Sequence, residues 1–193
     1  MAVILRWIRE ETPPEIEQLV RVAVETGAAL SGTLQTENIG LEKVICNLVS
    51  NPNIRYLIVC GPESPGHLVG GTILALAANG IDKNKRIIGS EAPTPYLFNI
   101  PTGHVERFRK QITVIDLLNE GSPEVLRQAV WSCYQEESTL FRGIPGGGRH
   151  FLDLCHGLCL RCREKIISAH MRWVKLLPGA RPGASPRAGL SRG

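Results

Sequence analysis

The chain has 193 residues, 43% of them hydrophobic and 21% charged, which fits a soluble globular protein that can bury one sizeable core. Its net charge of +4 is uneven, because the residues from Arg142 onward hold ten lysines and arginines against two acids and the rest is net acidic. No stretch approaches the roughly 18 apolar residues of a membrane span. The start lacks the apolar core and cleavage site of a signal peptide, so we expect a cytoplasmic protein whose cysteines are reduced or metal-bound.

Predicted helices and strands alternate along the chain. Apolar residues at helical spacing predict a helix over about 15–30 and a second one after Thr36-Glu37-Asn38. The continuous apolar run at 54–60 predicts a buried strand. The later predicted elements are a helix over about 67–78, a short strand at 86–89, a loop to 101, a helix at 105–111, a strand at 112–118 and a helix over about 122–134. This order predicts an α/β fold, a Rossmann-like three-layer domain with a mainly parallel sheet.

The character of the sequence changes after Phe141. We predict a domain over 1–141, a Gly-rich linker over 142–150, an amphipathic Cys-containing helical segment over 151–177 and a disordered tail over 178–193. The basic extension suits a solvated tail, an anionic membrane surface or a partner subunit. We expect no nucleic-acid partner.

His67 stands in the turn between a predicted strand and helix, where ligands bind in parallel α/β sheets. Gly61 lets the backbone approach a ligand closely, and Gly70 and Gly71 leave room beside the imidazole for something flat and large. The spacing His67-x-x-Gly70 is half of a cobalamin-binding signature, Asp-x-His-x-x-Gly, in which the histidine binds cobalt and the aspartate supports the imidazole. Pro65 occupies the aspartate position, so this support is expected to be missing. The alternative for a lone histidine at a helix start is a cap or a surface residue.

Four longer blocks resemble one family. They are "TENIGLEKVICNLVSNPNIRYLIVCG" (36–61), "GHLVGG" (66–71), "NGIDKNKRIIGSEAPTPYLFNIP" (79–101) and "VERFRKQITVIDLL" (105–118). Together they are similar, in order, to the A subunit of tetrahydromethanopterin S-methyltransferase over roughly residues 25–135. The resemblance implies a cobamide whose cobalt cycles between cob(I) and methyl-cob(III). It carries a methyl group from tetrahydromethanopterin, or tetrahydrofolate, to a thiol or other acceptor.

The resemblance also implies site residues and partners. The family histidine proposed to face cobalt matches His67, and no protein side chain is expected to act as the nucleophile. The positions expected to line the cofactor are Thr36, Glu37, Asn38, Gly61, Gly66, His67, Gly70 and Gly71. Thr36-Glu37-Asn38 also fits a plain helix N-cap. Without the aspartate, His67 is expected to be a labile ligand that binds and releases cobalt. Separate methyl-donor and methyl-acceptor subunits are the expected partners.

The C-terminal part departs from the family, whose methanogen members end in a transmembrane helix. Cys155, Cys159 and Cys162 have a spacing that can hold an iron–sulfur cluster or, with a histidine, zinc. On one helix they share a face, so burial as small hydrophobic residues is the alternative. The basic run would place the protein at the inner face of the membrane without a span.

Other functions remain open at this point. The family fold without corrinoid would serve as a binding or regulatory module, and a metal or iron–sulfur centre would make a redox accessory protein. A nucleotide-binding enzyme is disfavoured, because no G-x-G-x-x-G follows a strand and no phosphate-loop lysine motif is present.

Overall fold

A computed structural model describes residues 2–5, 13–137 and 140–142 of the chain. Within these ranges four strands form one parallel sheet: β1 (Ala2–Leu5), β2 (Ser31–Leu34), β3 (Tyr56–Gly61) and β4 (Thr113–Leu118). Their spatial order is β2-β1-β3-β4, so the direction of strand addition reverses between β1 and β3. In doubly wound α/β sheets, ligands bind beyond the carboxyl ends of the strands at such a reversal.

Five helices connect and flank the strands. They are α1 (Pro14–Glu25), α2 (Ile39–Ser50), α3 (Val69–Asn79), α4 (Thr102–Gln111) and α5 (Pro123–Ser132). Local sequence explains several starts: Pro14 and Pro123 occupy first-turn positions, and the Asn38 side chain accepts a hydrogen bond from the Ile39 N–H. Ser122 caps α5 in the same way by accepting from the Val125 N–H.

Alternate side chains of β3 enter two separate cores. Leu57 and Val59 pack in a cluster with α2, α3 and α4, while Ile58 and Cys60 pack with α1 and α5. Because a strand points successive side chains to opposite faces, this division places helices on both sides of the sheet. The predicted α/β class with a mainly parallel sheet is confirmed; the finer label, Rossmann-like, stays a prediction.

One predicted strand and the end of one predicted helix are wrong. The predicted strand at 86–89 is absent from the sheet, since Arg86 and Ile87 make isolated bridges to Tyr96 and Ile81 within the long connection from α3 to α4. Ile87 is nevertheless fully buried, so its apolar character reflects burial by a folded loop. The first predicted helix, over about 15–30, is too long, because α1 ends at Glu25 and the chain then runs to β2 at Ser31. Strands of four residues are too short for periodicity to reveal.

Gln111 joins three segments of the chain at the amino ends of the strands, opposite to the carboxyl ends. Its side chain is 2% exposed, and its Nε2 donates to the carbonyl oxygens of Leu48 at 3.0 Å, Asn51 at 2.9 Å and Ile54 at 3.1 Å. Its Oε1 accepts a hydrogen bond from Arg107 Nε at 3.0 Å. Gln111 therefore ties the last turn of α2 and the chain leading into β3 to the end of α4.

The described helices include none with the length and apolar character that a membrane crossing requires. Apart from Arg142, the predicted linker, the amphipathic segment and the tail lie outside the described residues. The boundaries proposed for them stay predictions.

Candidate functional site

The turn that follows β3 is built from backbone conformations that few side chains allow. Gly61 and Gly66 have φ angles of 92° and 82°, and Leu68 takes the left-handed conformation at 45°. Gly61 also exchanges backbone hydrogen bonds with the chain after β4, donating to the Glu120 oxygen and accepting from the Asn119 N–H. These constraints hold His67 at the carboxyl edge of the sheet, just before α3 begins.

A buried carboxylate from a different loop contacts the His67 ring. Glu37 follows β2, and its Oε2 lies 2.8 Å from His67 Nδ1. The Glu37 side chain is 1% exposed, whereas that of His67 is 35% exposed. Parallel strands bring their carboxyl ends to one edge, which is why residues thirty positions apart meet here.

Thr94, in the long connection between α3 and α4, completes the environment of Glu37. Its backbone N–H and its hydroxyl both donate to Glu37 Oε1, at 3.1 Å and 2.6 Å. Burial alone raises the pKa of Glu37, but the hydrogen bonds from Thr94 and His67 outweigh it and hold this pKa below its ordinary value. Glu37 is therefore a carboxylate.

The charge state of Glu37 determines the tautomer of His67. A carboxylate only accepts hydrogen bonds, so Nδ1 must carry a proton, and Nε2 is the ring nitrogen with a lone pair in the neutral imidazole. Carboxylate–imidazole pairs of this kind orient metal-binding histidines. The expectation that His67 lacks a supporting carboxylate is wrong, because Glu37 replaces the aspartate whose position Pro65 occupies.

Glu63 is a site residue that sequence reasoning missed. Its Oε1 accepts from the backbone N–H groups of Ser64 and Gly70, and its Oε2 accepts from that of Gly71, at 2.7, 3.0 and 2.8 Å. The carboxylate thus caps the first turn of α3. An acid six residues before the helix gives a weak signal, since capping side chains usually directly precede the first turn.

The segment Thr36-Glu37-Asn38 has a capping role as well. Thr36 Oγ1 accepts from the Gly40 N–H at 2.9 Å, and Asn38 Oδ1 accepts from the Ile39 N–H at 2.7 Å. Asn38 Nδ2 then donates to Thr94 Oγ1 at 3.1 Å. The N-cap interpretation of this segment is confirmed, and the same residues lie against the connection that holds Glu37.

Cys60 and the remaining cysteines give no second centre in the described part of the chain. Burial, with the nearby Glu120 carboxylate, raises the pKa of the Cys60 thiol to about 12, which makes it a poor nucleophile and metal ligand. Residues 13–137 and 140–142 contain no group of three or more histidine, cysteine or acidic side chains placed to hold a metal ion. Cys155, Cys159 and Cys162 lie outside the described residues, so an iron–sulfur or zinc site stays a prediction.

Comparisons with known proteins agree with the resemblance found in the sequence. A family model that describes the A subunit of tetrahydromethanopterin S-methyltransferase matches residues 16–145. The first of the A subunits of this enzyme in Methanothermobacter thermautotrophicus is 46% identical over 134 residues, which cover 65% of this chain and 56% of that protein. The A subunit of the putative methyltransferase Mtx in Methanosarcina acetivorans is 48% identical over 156 residues, 73% of this chain and 79% of that protein. The chain therefore spans little more than half of the first relative and most of the second.

Proposed function

This chain belongs to the A-subunit family of tetrahydromethanopterin S-methyltransferase, and we propose that it is a corrinoid-binding methyl carrier that works with other methyltransferase subunits. The names of its relatives support methyl transfer within a multi-subunit enzyme. The corrinoid, the methyl donor and the acceptor are parts of the proposal. When bound, the corrinoid cobalt supplies the nucleophile that takes a methyl group from tetrahydromethanopterin or tetrahydrofolate and passes it to a thiol or other acceptor.

The observation that carries the proposal is the Glu37–His67 pair at the carboxyl edge of the sheet. The imidazole is partly exposed and its Nδ1 is held by a buried carboxylate, so Nε2 would be the ligating atom. A cobalt ion inside a corrin ring already has four ring nitrogens, so one protein ligand suffices. A metal site of three or more side chains is not needed for this function.

The turn that holds His67 supports the proposal of a large flat cofactor. A Cβ atom built on Gly66 meets nothing within 4 Å, so the turn beside the imidazole is open. Gly66 and Gly71 are exposed and would let the backbone lie close to the ring, whereas Gly61 and Gly70 are buried and would shape the turn from beneath. Thr36 and Asn38 would hold the first turn of α2 in place, and Glu37 would orient the imidazole. None of the three is expected to react with the methyl group.

Binding of a cobamide to the full chain tests this proposal. We expect the apo-protein to bind one equivalent of hydroxocobalamin, with an absorption spectrum that differs from that of the free cofactor. Equilibrium dialysis against a range of cofactor concentrations measures the stoichiometry. A chain that binds no corrinoid would contradict the proposal and favour the alternative, a binding or regulatory module with the family fold.

A contact with anionic lipid or with a partner subunit through the basic residues 151–177 belongs to the proposal only as an extension of it. This segment lies outside the described residues, so its sequence is the only support.

A further inference from the structure

The hydrogen bonds that run from the first turn of α2 to Glu37 all have a determined direction. The starting point is the backbone N–H of Ile39 in the first turn of α2, which can only donate and which donates to Asn38 Oδ1 at 2.7 Å. This contact orients the Asn38 amide so that its Nδ2 faces Thr94 Oγ1, to which it donates at 3.1 Å. The direction of the first bond therefore sets that of the second.

Thr94 passes this direction on to Glu37. Its oxygen accepts from Asn38, and its single hydroxyl proton is then directed to Glu37 Oε1, 2.6 Å away. The Thr94 backbone N–H donates to the same oxygen at 3.1 Å. Two donors therefore converge on Oε1, and a group that replaces this oxygen must also be an acceptor.

We propose that Asn38 and Thr94 are positioning residues that fix the polarity of the Glu37–His67 pair: they hold Oε1 as the acceptor of both Thr94 donors and so present the ionised Oε2 to His67 Nδ1, which leaves the lone pair of the neutral ring on Nε2. The order of donation runs from the Ile39 amide through Asn38 and Thr94 to Glu37, which accepts from His67 Nδ1 on its other oxygen. Because Glu37 is 1% exposed, water has little access to reverse this order. The use of Nε2 for cobalt rests on the proposed function, but the polarity itself does not.

An amide at position 37 reveals this polarity. In Glu37→Gln the two donors from Thr94 require the amide oxygen at the Oε1 position, so the NH₂ group faces His67. Nδ1 must then accept a hydrogen bond, and the proton moves to Nε2. Replacing one carboxylate oxygen with an NH₂ group is thus expected to invert the tautomer of His67, so that Nε2 carries the proton and no longer offers a lone pair.

Nitrogen NMR of the full-length apo-protein, labelled with ¹⁵N in histidine, tests the proposal at a pH where imidazole is neutral. We expect a protonated Nδ1 and an unprotonated Nε2 for His67 in the wild type, and exchanged signals in Glu37→Gln. In the double variant Glu37→Gln/Thr94→Val one of the two donors is lost, so a mixture of tautomers is expected. In Glu37→Gln/Thr94→Ser, which keeps the hydroxyl, the inverted tautomer should return.

The outcomes separate this inference from the proposed function. A wild-type His67 protonated at Nε2 would overturn the inference. This measurement uses the wild-type protein alone and so does not depend on whether a variant folds. Glu37→Gln with Nδ1 still protonated would overturn the role of Thr94, provided its backbone amide spectrum matches that of the wild type. The expected tautomers in a chain that binds no cobamide would uphold the inference while the carrier function fails.

Discussion

Replacing His67 with glycine is expected to remove the imidazole that would bind the cobalt of a loaded cobamide, and added imidazole is expected to restore this ligand. The substitution deletes the whole ring next to the open turn at Gly66, where a Cβ atom would meet nothing within 4 Å. Free imidazole can enter such a gap and take the place of the side chain. Absorption spectra of the loaded protein, recorded with and without imidazole, measure both effects.

His104 provides a control for this experiment. It lies on α4, whereas Glu37 and His67 lie in the segments that follow β2 and β3, and it is 5% exposed. His104→Gln should therefore leave the cofactor spectrum unchanged in protein that retains its helical circular dichroism. A His67→Gly spectrum identical to that of the wild type would show that another group, or none, binds the cobalt.

Replacing Gln111 with leucine is expected to lower the free energy of unfolding by about 2–4 kcal/mol, which corresponds to a fall in melting temperature of roughly 6–12 °C. Leucine is similar in size but leaves the carbonyl oxygens of Leu48, Asn51 and Ile54 without the Nε2 donor. The Leu48 and Asn51 oxygens each keep a backbone donor, so most of the penalty is expected at the buried Ile54 oxygen and at Arg107 Nε, which loses Gln111 Oε1. Urea denaturation followed by circular dichroism measures the change.

The matched control is Gln128→Leu, the same change at an exposed position of α5. We expect it to alter stability by less than about 0.5 kcal/mol. Equal effects at the two positions would mean that the hydrogen bonds of the Gln111 side chain contribute no net stability. That result would contradict the role of Gln111 in tying α2 and the chain before β3 to the end of α4.

The starts of α1, α2 and α5, the buried strand β3 and the α/β class could be predicted from the sequence, because each leaves a local pattern, whereas α4 begins three residues before its predicted start. A continuous apolar run marks β3, and a proline after a serine marks α5. β2 could not be predicted in this way, since four residues carry too little periodicity. Ile87 resembles a strand residue in sequence because burial by a loop produces the same apolar signal.

The site residues also differ in whether local sequence reveals them. His67 could be found because its turn, its glycines and its resemblance to a known family are all local in sequence. Its partner Glu37 is among the predicted cofactor-lining positions, but its contact with His67 depends on the order of the strands, which no spacing reveals. Thr94 escapes sequence reasoning for the same reason, because it reaches Glu37 from a connection more than fifty residues away.

The central claim, that His67 would bind the cobalt of a corrinoid through Nε2, is tested most directly by electron paramagnetic resonance of the cobalt(II) form. The full chain is loaded with cobamide after its histidines alone have been labelled with ¹⁵N. We predict that the nitrogen splitting changes from a triplet to a doublet pattern on labelling, and that the doublet is absent in His67→Gly. A triplet that persists in the labelled protein would show that the nitrogen bound to cobalt comes from the cofactor itself and would contradict this claim.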